Sequence, residues 1–220
     1  MTLLGKAIVA IWNDVKPDGH DNFLEWHVRE HMPERLRIAG FLRGRRFRAE
    51  AGASQYFTLY EAENAELLVG DEYLARLNNP TEWTLRTTSQ FLNAQRGVCK
   101  VVWQHGYGEG AWLITMRFDI PQKHSDSFQN YLLRKMSELP AMMGITGVSL
   151  CIADQEASSH TTTERKGRDV GVPDWIVMIE GTSRSTVTAA AEQIAASGME
   201  AAGASNIETG CFRVEFSLLS

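Results

Sequence analysis

The sequence predicts an α+β fold made of two βαββαβ units whose antiparallel sheets pack face to face. Three observations carry this expectation. The order of strand-like and helix-like segments in residues 1–106 returns in residues 107–220, and an internal repeat of that size marks two copies of one supersecondary unit. The chain of 220 residues divides into parts of about 110, each long enough to bury a core. Between them lies His105-Gly106-Tyr107-Gly108-Glu109-Gly110, whose glycines suit a linker. A phosphate loop would have to feed a helix N-terminus, and here a strand follows.

The elements follow in order. Lys6 to Trp12 (KAIVAIW) is β-branched and apolar and reads as a strand, ended by the turn-rich DVKPDGHD. Asp21 is a natural N-cap for a helix over Asn22 to Ile38, and Gly40 terminates it. Phe41 to Ala49 alternates as a strand, residues 50–54 (EAGAS) turn, and Gln55 to Glu61 forms the next strand. Helical segments over Ala65 to Leu77 and Glu82 to Leu92 are split by Asn78-Asn79-Pro80, and Val98 to His105 closes the unit as a strand. The second unit has strand Ala111 to Asp119, helix Gln122 to Leu139, strands Thr146 to Ala153 and Trp175 to Glu180, helix Ser185 to Ala196 and strand Cys211 to Leu218. Placing Phe23 on Phe128 sets Trp26 on Tyr131 and, with one slip, Gly40 on Gly144.

One segment breaks the repeat. Residues 154–174 (DQEASSHTTTERKGRDVGVPD) are polar and longer than an ordinary hairpin connection. Ordering such a loop costs entropy that something must offset. The expectation is an arm that contacts a neighbouring chain in a homo-oligomer; the alternative is a lid over the pocket of its own chain.

Composition narrows the partners. A formal charge of −5 and a pI near 5.7 repel phosphate backbones and anionic lipid, so neither nucleic acid nor a membrane surface is expected. The cysteines, Cys99, Cys151 and Cys211, are few, odd in number and far apart, which suits a reducing compartment and a cytoplasmic protein. The N-terminal apolar run reads as the first strand rather than a cleaved leader, and no stretch reaches the roughly 18 apolar residues of a spanning helix.

The first helix holds the chemical candidates. At 100° per residue His27, His31 and Glu34 share an arc with Phe23, Leu24 and Ile38, which should face the sheet. Two imidazoles on an apolar stripe call for partners, which suggests a polar pocket under the helix. The alternatives are hydrogen-bonded structural histidines and, behind these, an i, i+4 metal pair, although HVREH is not HExxH and no third ligand is evident; no metal is expected. An arginine cluster follows, Arg35, Arg37, Arg43, Arg45, Arg46 and Arg48, either as a charged strand edge or with one or two members holding a carboxylate or enolate oxygen. Alternation sets Arg46 with Leu42 and Gly44, and Arg43 with Phe41 and Phe47, without saying which face lines the pocket. The expected constellation has His27 and His31 as acid/base or orienting groups and Arg46 as oxyanion holder. Trp12, Tyr60, Arg43 and Glu34 would contact the substrate. No nucleophile elbow, kinase set or dinucleotide fingerprint is present.

The stretch Trp26-His27-x-x-Glu30-His31-x-Pro33-Glu34-Arg35, then Gly40-Phe41-x-Arg43-Gly44-Arg45-Arg46-Phe47 and Tyr56-x-x-x-Tyr60-Glu61, resembles the dimeric α+β barrel superfamily, particularly its EthD-like branch. The resemblance covers residues 5–105 by motif and 111–218 by element order. It implies ferredoxin-like units fused as a pseudo-dimeric barrel, with a small-molecule pocket between helix and sheet. The superfamily includes cofactor-free monooxygenases, isomerases, cyclases and haem enzymes. No position here matches the proximal histidine of the haem-binding branches, and no cofactor is expected. The second copy has Leu132 and Met136 in place of His27 and His31, leaving one site per chain. The implied activity is proton transfer or cofactor-independent oxygenation of an apolar or aromatic carbonyl compound; the alternative is a non-catalytic ligand-binding or oligomeric scaffold protein.

Overall fold

A computed structural model describes residues 2–52, 54–168 and 170–220. Ala53, in the predicted turn of residues 50–54, and Asp169, in the predicted insert, lie outside the described residues. The first unit runs β1 (Ala7–Val15), α1 (His20–Trp26), a π-helical turn (His27–His31), α2 (Met32–Leu36), β2 (Phe41–Ala51), β3 (Tyr56–Ala62), α3 (Asp71–Asn78), α4 (Glu82–Thr88) and β4 (Phe91–Gly106). The second runs β5 (Trp112–Asp119), α5 (Ser125–Met136), β6 (Ile145–Ala153), α6 (Gln155–Ser159), β7 (Trp175–Gly181), α7 (Arg184–Ala196) and β8 (Ser205–Leu219).

The eight strands close one antiparallel barrel in the order β1-β3-β2-β8-β5-β7-β6-β4. Two ferredoxin-like βαββαβ units thus form a pseudo-dimeric α+β barrel, joined at the β2–β8 and β4–β6 seams. Helices cover both sheets outside. Strands β3 and β7 are buried along their whole length because one face packs into the barrel and the other under helices, which is why they read as apolar runs. The pseudo-symmetry reaches the backbone: Gly40 and Gly144, which end the equivalent helical regions, have φ of +91° and +84°, where a side chain would be strained.

Three local expectations need correction. The helix expected over residues 22–38 with an Asp21 cap starts at His20 without a side-chain cap, and it is broken by the π turn. Pro33 is the cause: it has no N–H for the carbonyl four residues back, and its ring crowds that carbonyl. The turn widens until the Met32 N–H reaches the His27 carbonyl instead. Second, the helix expected to reach Leu92 stops at Thr88, and β4 and β8 begin at Phe91 and Ser205, well before the expected Val98 and Cys211. Each long fourth strand pairs first with a strand of its own unit and then with one of the other. Their polar starts, NAQRG and SNIETG, are held by pairing and carry no apolar pattern. Third, a bulge between Phe41 and Arg43 turns Phe41 toward the helices, away from Arg43 and Phe47.

The insert packs on its own chain. The Gly171 N–H bonds the Ala94 carbonyl at 3.1 Å and the Arg96 N–H bonds the Gly171 carbonyl at 2.8 Å, while Asn78 Oδ1 accepts from the Thr163 N–H at 3.2 Å. The second unit therefore sends a segment over the first, as in the lid alternative.

The barrel interior combines Trp12, Phe47, Phe57 and Phe212 with buried charge. Arg45 bridges the two units by a two-pronged pair with Glu180, both N···O distances being 2.9 Å. Arg43 grips Glu61 at 2.8 and 3.0 Å and the Thr2 carbonyl at 2.8 Å. The Leu4 N–H also bonds Glu61, at 2.7 Å. Removing one partner of such a pair leaves a charge stranded in a low-dielectric interior. Glu180→Gln is therefore expected to cost about 3–5 kcal/mol, and the double variant Arg45→Met/Glu180→Met distinctly less. Urea unfolding midpoints check this; equal losses for single and double variants would contradict it.

Candidate functional site

The helical stretch from α1 to α2 crosses the outer face of β1, β3 and β4 and leaves a cavity beneath it. Alternation along the strands chooses the lining. Ile11, Asn13, Thr58 and Tyr60 face outward into the cavity, whereas their neighbours Trp12, Phe57 and Leu59 face the barrel interior. Helix α3 adds Tyr73, the start of β4 adds Arg96, and the insert adds Glu164, Arg165 and Arg168.

His27 and His31 meet in this cavity with ring centroids 5.7 Å apart. The Tyr60 hydroxyl lies 3.4 Å from His27 Nε2, and Trp26 stacks on His31 at 4.2 Å. Trp26 is held in turn by its Nε1–H donating to Thr84 Oγ1 at 3.1 Å. The Nδ1 atoms of both histidines are buried without a hydrogen-bond partner, as is Nη1 of Arg96. Unsatisfied buried polar atoms are costly, and three of them around one cavity mark a place where a ligand can complete the bonding.

Burial, reinforced by the Arg46 charge, pushes the His27 pKa well below the usual imidazole range. Burial does the same for His31, helped by Arg35, His27 and Arg168. Both rings are neutral near pH 7. Burial pushes the Tyr60 phenol up, so it stays protonated. With that phenol donating to Nε2, the His27 proton resides on the unpartnered Nδ1. The pair can therefore accept and donate protons within one cavity.

Of the residues given site roles from the sequence, His27, His31 and Tyr60 line the cavity, and Trp12, Arg43, Arg46 and Glu34 do not. Trp12 is inside the barrel, donating to Thr115 Oγ1 at 3.1 Å. Arg43 is inside it too, paired with Glu61. Arg46 lies on the helix side, but its Nε is taken by Glu215 at 2.7 Å and its guanidinium covers the Phe23 ring. It acts on His27 through its charge. Glu34 holds Arg35 at 3.1 Å from beside the cavity. The cationic part of the lining comes from Arg35, Arg96, Arg165 and Arg168; of these, the sequence drew attention only to Arg35, as part of the arginine cluster and of the helix motif. The dense ERKGR run of the insert was the one local signal for the lid pair.

Among the described residues no group of three or more His, Cys, Asp or Glu side chains is placed to hold a metal ion. The cysteines offer no nucleophile: burial pushes Cys99 up to about 12 and Cys151 well above its usual value. No helix among the described residues is long and apolar enough to cross a membrane.

No protein-family model matches the sequence, and no curated protein matches it. Solved structures do match in fold. An anthrone oxidase-like protein superposes with a TM-score of 0.70 at 10% identity, covering 100% of this chain and 95% of that one. A candidate monooxygenase from Fusobacterium nucleatum subsp. nucleatum gives 0.61 at 9% identity, covering 99% and 96%. One from Lactobacillus acidophilus gives 0.61 at 7%, covering 97% and 96%. The shared feature is the fold. The whole tandem barrel, rather than one unit, is what superposes. As it stands the cavity encloses about 50 Å³, room for a few waters and for neither a macrocycle nor an aromatic ring unless its walls move.

The histidines give the site a pH signature. Below about 6.5 an unfolded chain's imidazoles take up protons that the buried ones refuse, so stability falls as pH drops from about 6.5 toward their lowered native values and is fully present above that window. The urea midpoint is expected to fall between pH 7.5 and 5.5 in the wild type and to fall less in His31→Gln. Proton NMR of the imidazoles should show both rings still neutral at pH 6; titration near 6.5 would contradict the burial argument.

Proposed function

We propose that the protein is a cofactor-independent enzyme of the EthD-like branch that removes a proton from an apolar or aromatic compound with an enolisable carbonyl, the enolate then isomerising or reacting with dioxygen. The observation that carries this reading is the pair of neutral, buried imidazoles with unpartnered Nδ1 atoms in one cavity lined by arginines. A neutral imidazole takes the carbon-bound proton, the bonding electron pair passes to the carbonyl oxygen, and a guanidinium stabilises the enolate charge. Arg96, with a free Nη1, takes the oxyanion role expected of Arg46. Trp26 and Phe23 supply flat apolar walls. The names of the proteins that share the fold, an anthrone oxidase-like protein and candidate monooxygenases, support the reading by analogy of fold.

Self-association, also part of this proposal, would use the exposed outer face of the insert or the strand edges beside it, the inner face being engaged over the cavity of its own chain.

The test is to incubate the protein with anthrone under a chelator, following exchange of the acidic carbon-bound protons in deuterated buffer without oxygen and oxygen uptake in air. Exchange faster than in buffer alone is expected, falling about 10²–10⁴-fold in His27→Ala or His31→Ala, the usual contribution of a positioned acid/base group. Exchange at the buffer rate, or unaffected by both substitutions, would remove the proton-transfer reading.

A further inference from the structure

The cavity carries more positive charge than its surroundings balance. Arg35 is satisfied by carboxylates, Glu164 at 2.6 Å and Glu34 at 3.1 Å. The remaining guanidiniums of the lining are not. Arg96 donates through Nη2 to the Tyr73 hydroxyl at 3.0 Å, and its Nη1 is buried without a partner although the residue is only 6% exposed. Arg165 is held by neutral acceptors, the Ser158 and His160 carbonyls and Thr162 Oγ1. Arg168 is held by the Glu164 carbonyl at 2.8 Å and the Thr88 carbonyl at 3.5 Å. Among the described residues Glu164 is the one carboxylate of the lining, and Arg35 already uses it. Burial, and after it the nearby Arg96 charge, lower the Arg165 pKa to about 10.

From this juxtaposition we propose that the cavity binds an anion, and that its ligand is a flat aromatic acid: the ring against Trp26, Phe23 and the histidines, the carboxylate completing the bonding of Arg96 beneath the insert arginines. This deepens the substrate class of the proposed function and rests on the same cavity. A carboxylate is the fitting partner because it accepts two parallel N–H bonds from a guanidinium, and it removes a like-charge repulsion that the empty cavity retains. Two of the cations, Arg165 and Arg168, belong to the insert, so the charge of the lid contributes to holding the anion. As closed, the cavity of about 50 Å³ is smaller than the roughly 150 Å³ that admits a benzene ring. Entry therefore requires the insert to lift.

Calorimetric titration of 2-naphthoate against its neutral isostere 2-naphthamide tests this, because neither compound can be turned over by enolisation and binding is read apart from any activity. The acid is expected to bind at least tenfold more tightly than the amide, and added salt should narrow the gap. Arg96→Gln should bring the ratio close to one with amide affinity unchanged. Arg168→Gln, on the half-exposed insert and outside the core, should reduce the ratio in a variant whose folding is not at stake. Equal affinities in the wild type, no heat from either compound at millimolar concentration, or a ratio indifferent to both substitutions overturns the proposal. Acid binding without carbon-proton exchange of anthrone would leave this anion site standing and remove the catalytic reading; exchange without acid preference would do the reverse.

Discussion

Everything in this molecule hangs on a charge pair that water never reaches. Arg45 on β2 and Glu180 on β7 belong to different halves of the chain and meet inside the barrel. Stripping two ions of water costs several kcal/mol each, and only two-pronged geometry with additional partners offsets it. Arg43, Glu61 and the Leu4 and Gly110 N–H groups supply those partners. The interaction acts on register. A one-residue slip of β2 would turn Arg45 outward and strand Glu180 in the interior, an error that an aliphatic barrel lining would penalise far less. With β2 so pinned, its other face is set as well, and that face supports the helix over the cavity.

The cavity exists because the two halves are unequal at one turn. In the first half Pro33 forces a π turn, and the imidazoles on it stand over the sheet with unsatisfied nitrogens. In the second half α5 runs unbroken through Leu132 and Met136, both fully buried, and the corresponding space is solid core. One half provides a site and the other fills its counterpart and lends a lid. Separate copies of a single unit would carry the same helix on both sides; a fused chain lets them diverge.

Much of this was legible locally. Apolar β1 and β3, the helix-ending glycines and the matching order of elements carry enough hydrophobic and backbone signal to reveal the tandem architecture. The histidine pair was legible because two polar rings on an apolar stripe need an explanation. What stayed hidden was whatever depends on closure. Trp12 and Arg43 alternate correctly along their strands, but whether a strand face looks into a barrel or under a helix is decided by partners more than a hundred residues away, as with Trp12 and Thr115. Arg96 sits in a polar stretch that becomes strand only by pairing, and Arg165 and Arg168 in a segment without periodicity. For such residues the local sequence is silent, since an arginine bound for a cavity and one bound for solvent look alike.

The closing seam also sets an order of events during synthesis. Strand β2 pairs along one side with β3, which follows it closely, and along the other with β8, which ends at Leu219. At roughly 5–20 residues per second, the outer edge of β2 waits on the order of ten seconds or more on the ribosome before its partner emerges. Throughout that interval the nascent chain displays an open strand edge with unpaired N–H and C=O groups, and the β8 of a neighbouring nascent chain would fit it as well as its own. The charged side chains of Arg46 and Arg48 flanking that edge are the available guard against such an exchange.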